Sequence, residues 1–418
     1  PIDLSFGICS MLVAVAVLSA TASIGAGQAG SDPQYRIRIE TTNLDALRAS
    51  LEQAGYDVLG IDADHQTIDV AVSRGELNGL YSRGLSIVSV ERGRPLQARS
   101  HDATTTTAGQ EMMATAAAVS AGYLDLDGVV ARLQAIAATY PSIAQVVDLT
   151  VAYNVAPTFE GRHIYALKIS DNAAADEDEP AMLIAAAHHA REISTPVIAL
   201  EAADRLTTGY GSDPRITAAV DGHEIWIAPV WNPDGYNYVF TTNNLWRKNR
   251  RVFANGVGVD QNRNYALGWS ASCAGSTSVG SETYKGPSAA SEAETRTMTT
   301  WSETERFAKV IDYHSYGREV LYGYRCLSHP FTSWMQQQAA AISVASGYDG
   351  HTRLPSAEGE HPQWQSGRLG AYAFLIETHT EFQPSYASAL TEAATVWPGI
   401  LAVLERPISV SGHVTDAL

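Results

Sequence analysis

A histidine and a glutamate three residues apart, His189 and Glu192, carry the clearest chemical signal in the sequence. They follow the apolar run 182–187, which is typical of a buried strand, and precede a run that favours a helix from residue 193. Open α/β sheets bind ligands in the crevice beyond the carboxyl ends of their strands. A hydrolytic zinc ion takes three nitrogen or oxygen ligands from the protein and keeps one position for water. The pair supplies two such ligands and predicts a third further along the chain.

His314 is the candidate for the third ligand, because it ends another run of strand character. A single histidine at a strand end is usually structural, but beside a His-x-x-Glu pair on a neighbouring strand it becomes the natural ligand. Glu377 ends the apolar run 371–377 and is the candidate general base, since partial burial there would raise its pKa toward the working range. Its alternative is a solvated carboxylate where a strand ends.

Two basic runs add positive charge. Arg247, in the run 246–250, is placed to stabilise the oxyanion of a tetrahedral intermediate. Arg263, beside the amide of Asn262, offers a bidentate guanidinium for a substrate carboxylate. Either run alone fits an ordinary solvated surface, whereas the combination with the metal-ligand candidates favours a hydrolytic site.

Over residues 122–407 the sequence resembles the zinc carboxypeptidase family of the pancreatic carboxypeptidase A and bacterial carboxypeptidase T type. Eight motifs carry the resemblance, in the family's order: Glu160-Gly161-Arg162, His189-Ala190-Arg191-Glu192, Asn232-Pro233-Asp234-Gly235-Tyr236, Trp246-Arg247-Lys248-Asn249-Arg250, Gly258-Val259-Asp260-Gln261-Asn262-Arg263-Asn264, Tyr284-Lys285-Gly286-Pro287-Ser288, His314-Ser315-Tyr316 and Glu377. One His-x-x-Glu is weak evidence, whereas eight motifs in order are specific.

The resemblance implies a role for each matching side chain. The ligands of one Zn²⁺ would be His189, Glu192 and His314. The catalytic residues would be Glu377, as general base and proton shuttle, and Arg247, which would polarise the scissile carbonyl. The substrate-binding residues would be Asn262 and Arg263, for the C-terminal carboxylate, and Arg191, for the groove. Asp260 would orient the ring of His189.

The sequence departs from the family around the substrate. Pro355 stands where the family usually has a mobile tyrosine, and Tyr348 is the candidate to replace it. Asn244 stands in place of an arginine, and Ile193 in place of a tryptophan. These differences put closure over the substrate in doubt, but not the zinc chemistry.

The sequence does not settle which C-terminal side chain the specificity pocket would accept. Pro362 falls near the position of a specificity residue. Glu358 and Glu360 would either favour a basic C-terminal residue or be solvent-facing loop charges.

Strands and helices alternate after residue 122, which indicates an α/β sheet with covered faces. The predicted strands are 143–149, 163–169, 182–187, 224–230, 307–312 and 371–377, and the predicted helices include 193–208, 288–304 and 332–346. We expect a mixed sheet of about eight strands with helices on both faces.

Before that domain, residues 33–95 show a β-α-β-β-α-β pattern that predicts a small ferredoxin-like α+β domain. It holds no cluster of catalytic residue types, which favours a pro-segment or accessory domain. Residues 96–121 are rich in threonine and alanine and are predicted to be an exposed linker. Arg92, Arg94 and Arg99 are the candidate cleavage points.

Composition limits the partners. A net charge of -17 over 418 residues leaves no basic stripe for nucleic acid and disfavours an anionic membrane surface.

Residues 1–30 are predicted to be a signal peptide, since the apolar run 11–20 is too short to span a bilayer, although a buried helix is the alternative. In an oxidising compartment Cys273 and Cys326 would pair. Residues 408–418 are either a disordered tail or the first strand of a β-sandwich.

The sequence thus predicts a secreted or periplasmic zinc metallocarboxypeptidase, made as a zymogen-like precursor. We expect a monomer without a membrane anchor that acts on peptides and proteins with a free C-terminus. One alternative is a zinc amidohydrolase of the same fold acting on cell-wall peptides or N-acyl amino acids. The other is a peptide-binding module without activity.

Overall fold

The computed structural model describes residues 34–62, 65–96, 122–381 and 383–408. The predicted signal peptide, the linker after residue 96 and the tail after residue 408 lie outside the described residues.

Residues 34–96 form a four-stranded antiparallel sheet with two helices. The strands are β1 (Tyr35–Glu40), β2 (Asp57–Asp62), β3 (Thr67–Val72) and β4 (Ser86–Arg92), and the helices are Leu44–Gln53 and Arg74–Ser82. The elements follow the order β-α-β-β-α-β, and the strands lie side by side as β2-β3-β1-β4. Ile37, Val70 and Leu80 belong to the buried core that the sheet shares with the helices. We call this part the N-terminal unit.

The remaining chain is built on a mixed eight-stranded sheet, as predicted. Its strands are β5 (Ala144–Asp148), β6 (Tyr165–Ile169), β7 (Ala181–Ala186), β8 (Glu224–Ala228), β11 (Lys309–Ser315), β12 (Glu319–Leu321), β13 (Thr352–Arg353) and β14 (Tyr372–Thr378); β9 (Val252–Phe253) and β10 (Gly256–Val257) form a separate pair. The order is β13-β12-β14-β11-β7-β8-β6-β5. The neighbours β14, β11, β7 and β8 are parallel. Their carboxyl ends therefore meet at one edge of the sheet.

Helices cover both faces of this sheet. They are Leu126–Thr139, Leu149–Ala152, Ser194–Gly209, Pro214–Val220, Pro233–Thr241, Ala293–Glu305, Thr332–Ala345, His361–Trp364 and Tyr386–Leu404, with a short 3₁₀ turn at Gln261–Arg263 and a π turn at Gln365–Leu369. Successive residues of β7 point to opposite faces. Met182 and Ile184 enter one core, and Leu183 and Ala185 enter the other. Burial on both faces explains why β7 is continuously apolar in the sequence.

The helix predicted from residue 288 begins five residues later, at Ala293. Residues 288–292 form a loop instead, because the side-chain amide of Asn264 donates hydrogen bonds to the carbonyl of Ser288 and the hydroxyl of Ser291, both at 3.0 Å. The other helices differ from the predicted bounds by one residue or so.

Two further expectations concern the chain after residue 122. Cys273 and Cys326 form the predicted disulfide. Tyr386–Leu404 is the one helix in the described part that is long and apolar enough to cross a membrane. Half of that apolar stretch is buried, and Val396 and Ile400 belong to the protein core, as in a core helix of a globular domain.

Candidate active site

Three potential metal-ligand atoms converge at the carboxyl ends of β7 and β11. The Nδ1 atom of His189 lies 2.7 Å from Oε1 of Glu192, and Nδ1 of His314 lies 3.1 Å from Oε2 of Glu192. The two Nδ1 atoms are 3.1 Å apart. Donor atoms of a tetrahedral zinc ion are about 3.3 Å apart, given bonds of about 2.0 Å. The three side chains therefore fit a zinc ion with little movement, and all three are buried.

The carboxylate of Asp260 lies against the ring of His189. Its Nε2 atom lies 3.2 Å from Oδ1 of Asp260, which leaves Nδ1 directed at the other two ligand atoms. The second oxygen of Asp260 accepts hydrogen bonds from Nε and Nη2 of Arg247, at 3.1 and 2.9 Å. The same carboxylate thus fixes a candidate zinc ligand and a candidate catalytic arginine. Arg247 and His189 also hold the pKa of Asp260 well below its usual range against the effect of burial.

Arg247 lies next to the metal-ligand cluster. Its Nη1 atom is 3.9 Å from Oε1 of Glu192, and the side chain is almost fully buried. Burial makes its charge act through a low dielectric, where a fixed guanidinium stabilises a developing oxyanion far better than it would in water.

Asp312 is a site residue that the sequence analysis missed. Its Oδ2 atom lies 3.3 Å from Nε2 of His314, and its two oxygens accept hydrogen bonds at 3.0 Å from Nδ1 of His188 and of His361. These four side chains, at most 1% exposed, form what we call the buried histidine cluster. Asp312 precedes His314 by two positions on β11, so both point to the same face of the sheet. That spacing was the signal available in the sequence.

Replacing Asp312 with asparagine is expected to weaken zinc affinity about 10- to 100-fold, because the ring of His314 loses the carboxylate that orients it. Chelator competition would measure the affinity. Asp234→Asn is the matched control, since Asp234 is equally buried but binds Thr158 and Arg162 in a loop. Equal zinc affinity in the Asp312 variant and in the unchanged protein would contradict this role.

Glu377 lies at the end of β14, in register with His314 of the parallel strand β11. Its side chain is half-buried, and its Oε2 atom is shielded from solvent without a hydrogen-bond partner among the described residues. Burial, followed by the charge of Glu192, raises the pKa of Glu377 to about 8. Gly317 leaves room for this side chain, because a Cβ there would lie only 3.1 Å from Cβ of Glu377. Oε2 of Glu377 is therefore a carboxylate oxygen that no described side chain occupies, on the strand next to His314.

Asn262 and Arg263 lie on the 3₁₀ turn between Asp260 and Asn264. Oδ1 of Asn262 accepts a hydrogen bond from the backbone N–H of His361 at 2.8 Å. Nη1 of Arg263 donates to the carbonyl of Asn262 at 2.7 Å and lies 3.2 Å from Oε1 of Glu360. The Nε atom of Arg263 is buried and has no hydrogen-bond partner in the described part of the chain.

Arg191 contacts the N-terminal unit. It forms an ion pair with Asp57 of β2, and its Nη1 atom donates to the carbonyl of Leu245 at 3.3 Å. Glu282 lies 4.0 Å away. Arg191 is 3% exposed, so its side chain does not line an open groove in this structure.

The residues that depart from the family have specific surroundings here. Tyr348 cannot replace the missing tyrosine, because it is buried and its hydroxyl donates to Glu392 at 2.8 Å. Asn244 pairs with the backbone of Arg94: it donates from its own N–H to the Arg94 carbonyl at 2.7 Å and accepts from the Arg94 N–H at 3.0 Å. It therefore anchors the segment that follows β4.

Comparisons with known proteins agree with this geometry. A family model described as zinc carboxypeptidase, peptidase M14, matches residues 129–394. Bovine carboxypeptidase A1 is 30% identical over 285 residues, which cover 64% of this chain and 67% of the bovine protein. A zinc carboxypeptidase of Saccharothrix mutabilis is 32% identical over 241 residues, which cover 57% of this chain and 53%, about half, of that protein.

Two solved structures share the fold. Carboxypeptidase A from Helicoverpa armigera gives a TM-score of 0.67 at 22% identity, over 88% of this chain and 96% of the other. Thrombin-activatable fibrinolysis inhibitor gives 0.67 at 19% identity, over 90% and 99%. The chain belongs to the zinc carboxypeptidase family. The cofactor of this family is a catalytic Zn²⁺, and the enzyme class is that of the zinc metallocarboxypeptidases.

Proposed function

We propose that this chain hydrolyses the last peptide bond of peptides with a free C-terminus, with His189, Glu192 and His314 as its zinc ligands. The observation that carries the proposal is the convergence of their three ligand atoms beside Arg247 and Glu377. Zinc, when bound, supplies positive charge that polarises a carbonyl and makes water more acidic.

The side chains around the ligands perform the remaining steps. Arg263 binds the C-terminal carboxylate with help from the Asn262 amide, which holds the last peptide bond at the carboxyl ends of β11 and β14. Glu377 accepts a proton from the attacking water and then delivers it to the leaving amine. Arg247 donates to the oxyanion of the tetrahedral intermediate from a position that Asp260 fixes in advance.

The test is release of the C-terminal amino acid from N-blocked peptides ending in aromatic, aliphatic, basic and acidic residues. Amidated peptides of the same sequences are the control. We expect release that a zinc chelator stops, with the amidated peptides untouched, because an amide offers Arg263 no carboxylate. No release from any free-acid peptide by zinc-loaded protein, either before or after limited proteolysis, would overturn the proposal.

A second candidate, hydrolysis of cell-wall peptides or N-acyl amino acids, is favoured by one observation. Pro355 replaces the family's mobile tyrosine, and the buried Tyr348 does not take its place. A substrate without an extended peptide would not need that closure. Cleavage of N-acyl amino acids by protein that leaves ordinary peptides intact would select this candidate.

We further propose that the N-terminal unit is a pro-segment that blocks the groove until the chain is cut. Asp57 pairs with Arg191, and Leu59 and Ala71 pack against Leu245 and Tyr316. Arg191 is adjacent to Glu192 in the chain and Tyr316 follows His314 by two residues, so the unit contacts segments that carry the candidate ligands.

The segment after β4 bears on where such a cut falls. The backbone of Arg94 pairs with Asn244, and the N–H of Leu96 donates to the carbonyl of Val239 at 3.0 Å. A protease needs an extended, unpaired backbone, which the paired segments at Arg92 and Arg94 do not offer. Arg99 lies outside the described residues and stays a candidate from the sequence alone.

Asp57→Asn is expected to raise the activity of the uncut chain about tenfold, because loss of about 1.4 kcal/mol at the contact with Arg191 shifts the unit toward its released state. Peptide turnover before and after limited proteolysis would measure it. Asp45→Asn is the control, because Asp45 is exposed on a helix of the same unit. Uncut wild-type protein that is already fully active would contradict the pro-segment role.

We propose that the protein is exported from the cell, because it contains the Cys273–Cys326 disulfide and disulfides persist in oxidising compartments. We expect a monomer without membrane anchor. Light scattering of the purified protein and its presence in the culture medium, rather than in the membrane fraction, would test both points.

A further inference from the structure

One acidic side chain lies in the wall of the pocket next to Arg263. This pocket is narrow while Glu360 is paired with Arg263, with a volume of about 10 Å³, and it is lined by Tyr322, Pro355, Glu360, Pro362, Ser366 and Leu375, among others. Glu360 is its charged lining residue, and its Oε1 atom lies 3.2 Å from Nη1 of Arg263. Both side chains are more than nine-tenths buried. The carboxylate that faces the pocket is thus already paired with the guanidinium that would bind the substrate.

The structure separates Glu360 from Glu358, which the sequence could not. Oε1 of Glu358 accepts hydrogen bonds from the backbone N–H groups of Cys326 and Leu327, at 2.8 and 3.0 Å. Glu358 therefore holds the loop that carries the disulfide. Glu360 lines the pocket and Glu358 does not, so Glu360 is the acidic group available to a side chain there.

Charge balance decides what kind of side chain this is. When a substrate carboxylate binds Arg263, one guanidinium faces two carboxylates, its own partner Glu360 and the substrate. Uncompensated charge is expensive to bury, so a further positive charge is needed. Arg353 acts on Glu360 only through space. Its Nε atom donates to Glu319 at 2.7 Å, and its Nη1 atom donates to Leu354 and Ser356.

We propose that Glu360 selects substrates with a basic C-terminal residue, lysine or arginine. The basic side chain of the substrate pairs with Glu360 when the substrate carboxylate pairs with Arg263. The proposal rests on the proposed carboxypeptidase function and names its substrate class. Both side chains keep a partner of opposite charge. Arg263 exchanges the carboxylate of Glu360 for that of the substrate, and Glu360 exchanges Arg263 for the basic side chain of the substrate. With a neutral side chain, Glu360 would have to bind a proton or stay ionised beside a second carboxylate, and both are unfavourable.

The test uses the zinc-loaded full chain, before and after limited proteolysis, on matched N-blocked peptides. They end in lysine, arginine, Nε-acetyl-lysine, leucine or phenylalanine, and kcat/KM is measured for each. We expect lysine and arginine to exceed leucine and phenylalanine by at least about tenfold, and lysine to exceed acetyl-lysine by at least as much. Acetyl-lysine removes the charge but keeps the length of the side chain, so this comparison needs no variant.

Glu360→Gln is expected to abolish the preference for lysine over acetyl-lysine and over leucine. Glu358→Gln is the matched control from the same loop, and we expect it to keep the preference even if it lowers the melting temperature. Equal cleavage of lysine and acetyl-lysine peptides, or an unchanged preference in Glu360→Gln, overturns the inference and leaves the carboxypeptidase function standing. Release of no residue from any peptide overturns both.

Discussion

Replacing Glu377 with glutamine is expected to lower kcat by about 10²- to 10⁴-fold while zinc stays bound and KM changes little. The amide keeps the size of the carboxylate but cannot accept the proton of the attacking water. Zinc is expected to remain because the converging ligand atoms belong to His189, Glu192 and His314. Single-turnover kinetics and the zinc content of the purified variant would measure both effects.

The pH profile gives an independent readout of the same residue. Burial raises the pKa of Glu377 to about 8, and a bound divalent cation lowers it again. Only the ionised carboxylate accepts a proton, so kcat/KM of the unchanged enzyme is expected to rise with pH on the acid limb. The residual activity of Glu377→Gln should lack that limb. A variant with normal turnover, or with the same acid limb, would assign the base elsewhere.

Replacing Arg247 with glutamine is expected to lower kcat about 10²- to 10³-fold, because the guanidinium is fixed 3.9 Å from Glu192 and stabilises charge that develops only in the transition state. KM should change less than kcat, since Arg263 rather than Arg247 binds the substrate carboxylate. Steady-state kinetics would separate the two constants. The variant also leaves Asp260 without its buried partner, so zinc content and melting temperature must be measured with it.

Arg250→Gln is the matched control for Arg247. Arg250 belongs to the same motif, but its guanidinium lies 3.6 Å from the ring centre of Tyr238 and 4.6 Å from that of Trp246. We expect a loss of stability from this change without a selective fall in kcat. If the Arg247 variant, like the Arg250 variant, binds zinc and has a normal kcat, Arg247 is not a catalytic residue.

The strands that carry the site could be predicted because they are buried on both faces. The runs that became β7 and β14 are largely apolar, and β11 is buried although it contains Lys309 and Asp312. A His or Glu lies near or just after the end of each strand, so the sequence indicated both the strands and the edge at which they present polar groups. The start of the helix at Ala293 could not be predicted, since Asn264, remote in sequence, binds the preceding loop.

The sequence by itself determined the family, the mixed α/β sheet and the candidate ligands, because each of these depends on residue type and on short spacing along the chain. Tertiary structure alone decided which partners the side chains meet. The buried histidine cluster joins the segment after β7, strand β11 and the helix His361–Trp364. Arg191 contacts Asp57, which is more than a hundred residues away in the chain. Glu360 rather than Glu358 contacts Arg263. Contacts of this kind depend on how distant segments pack, and a local pattern in the sequence does not record that packing.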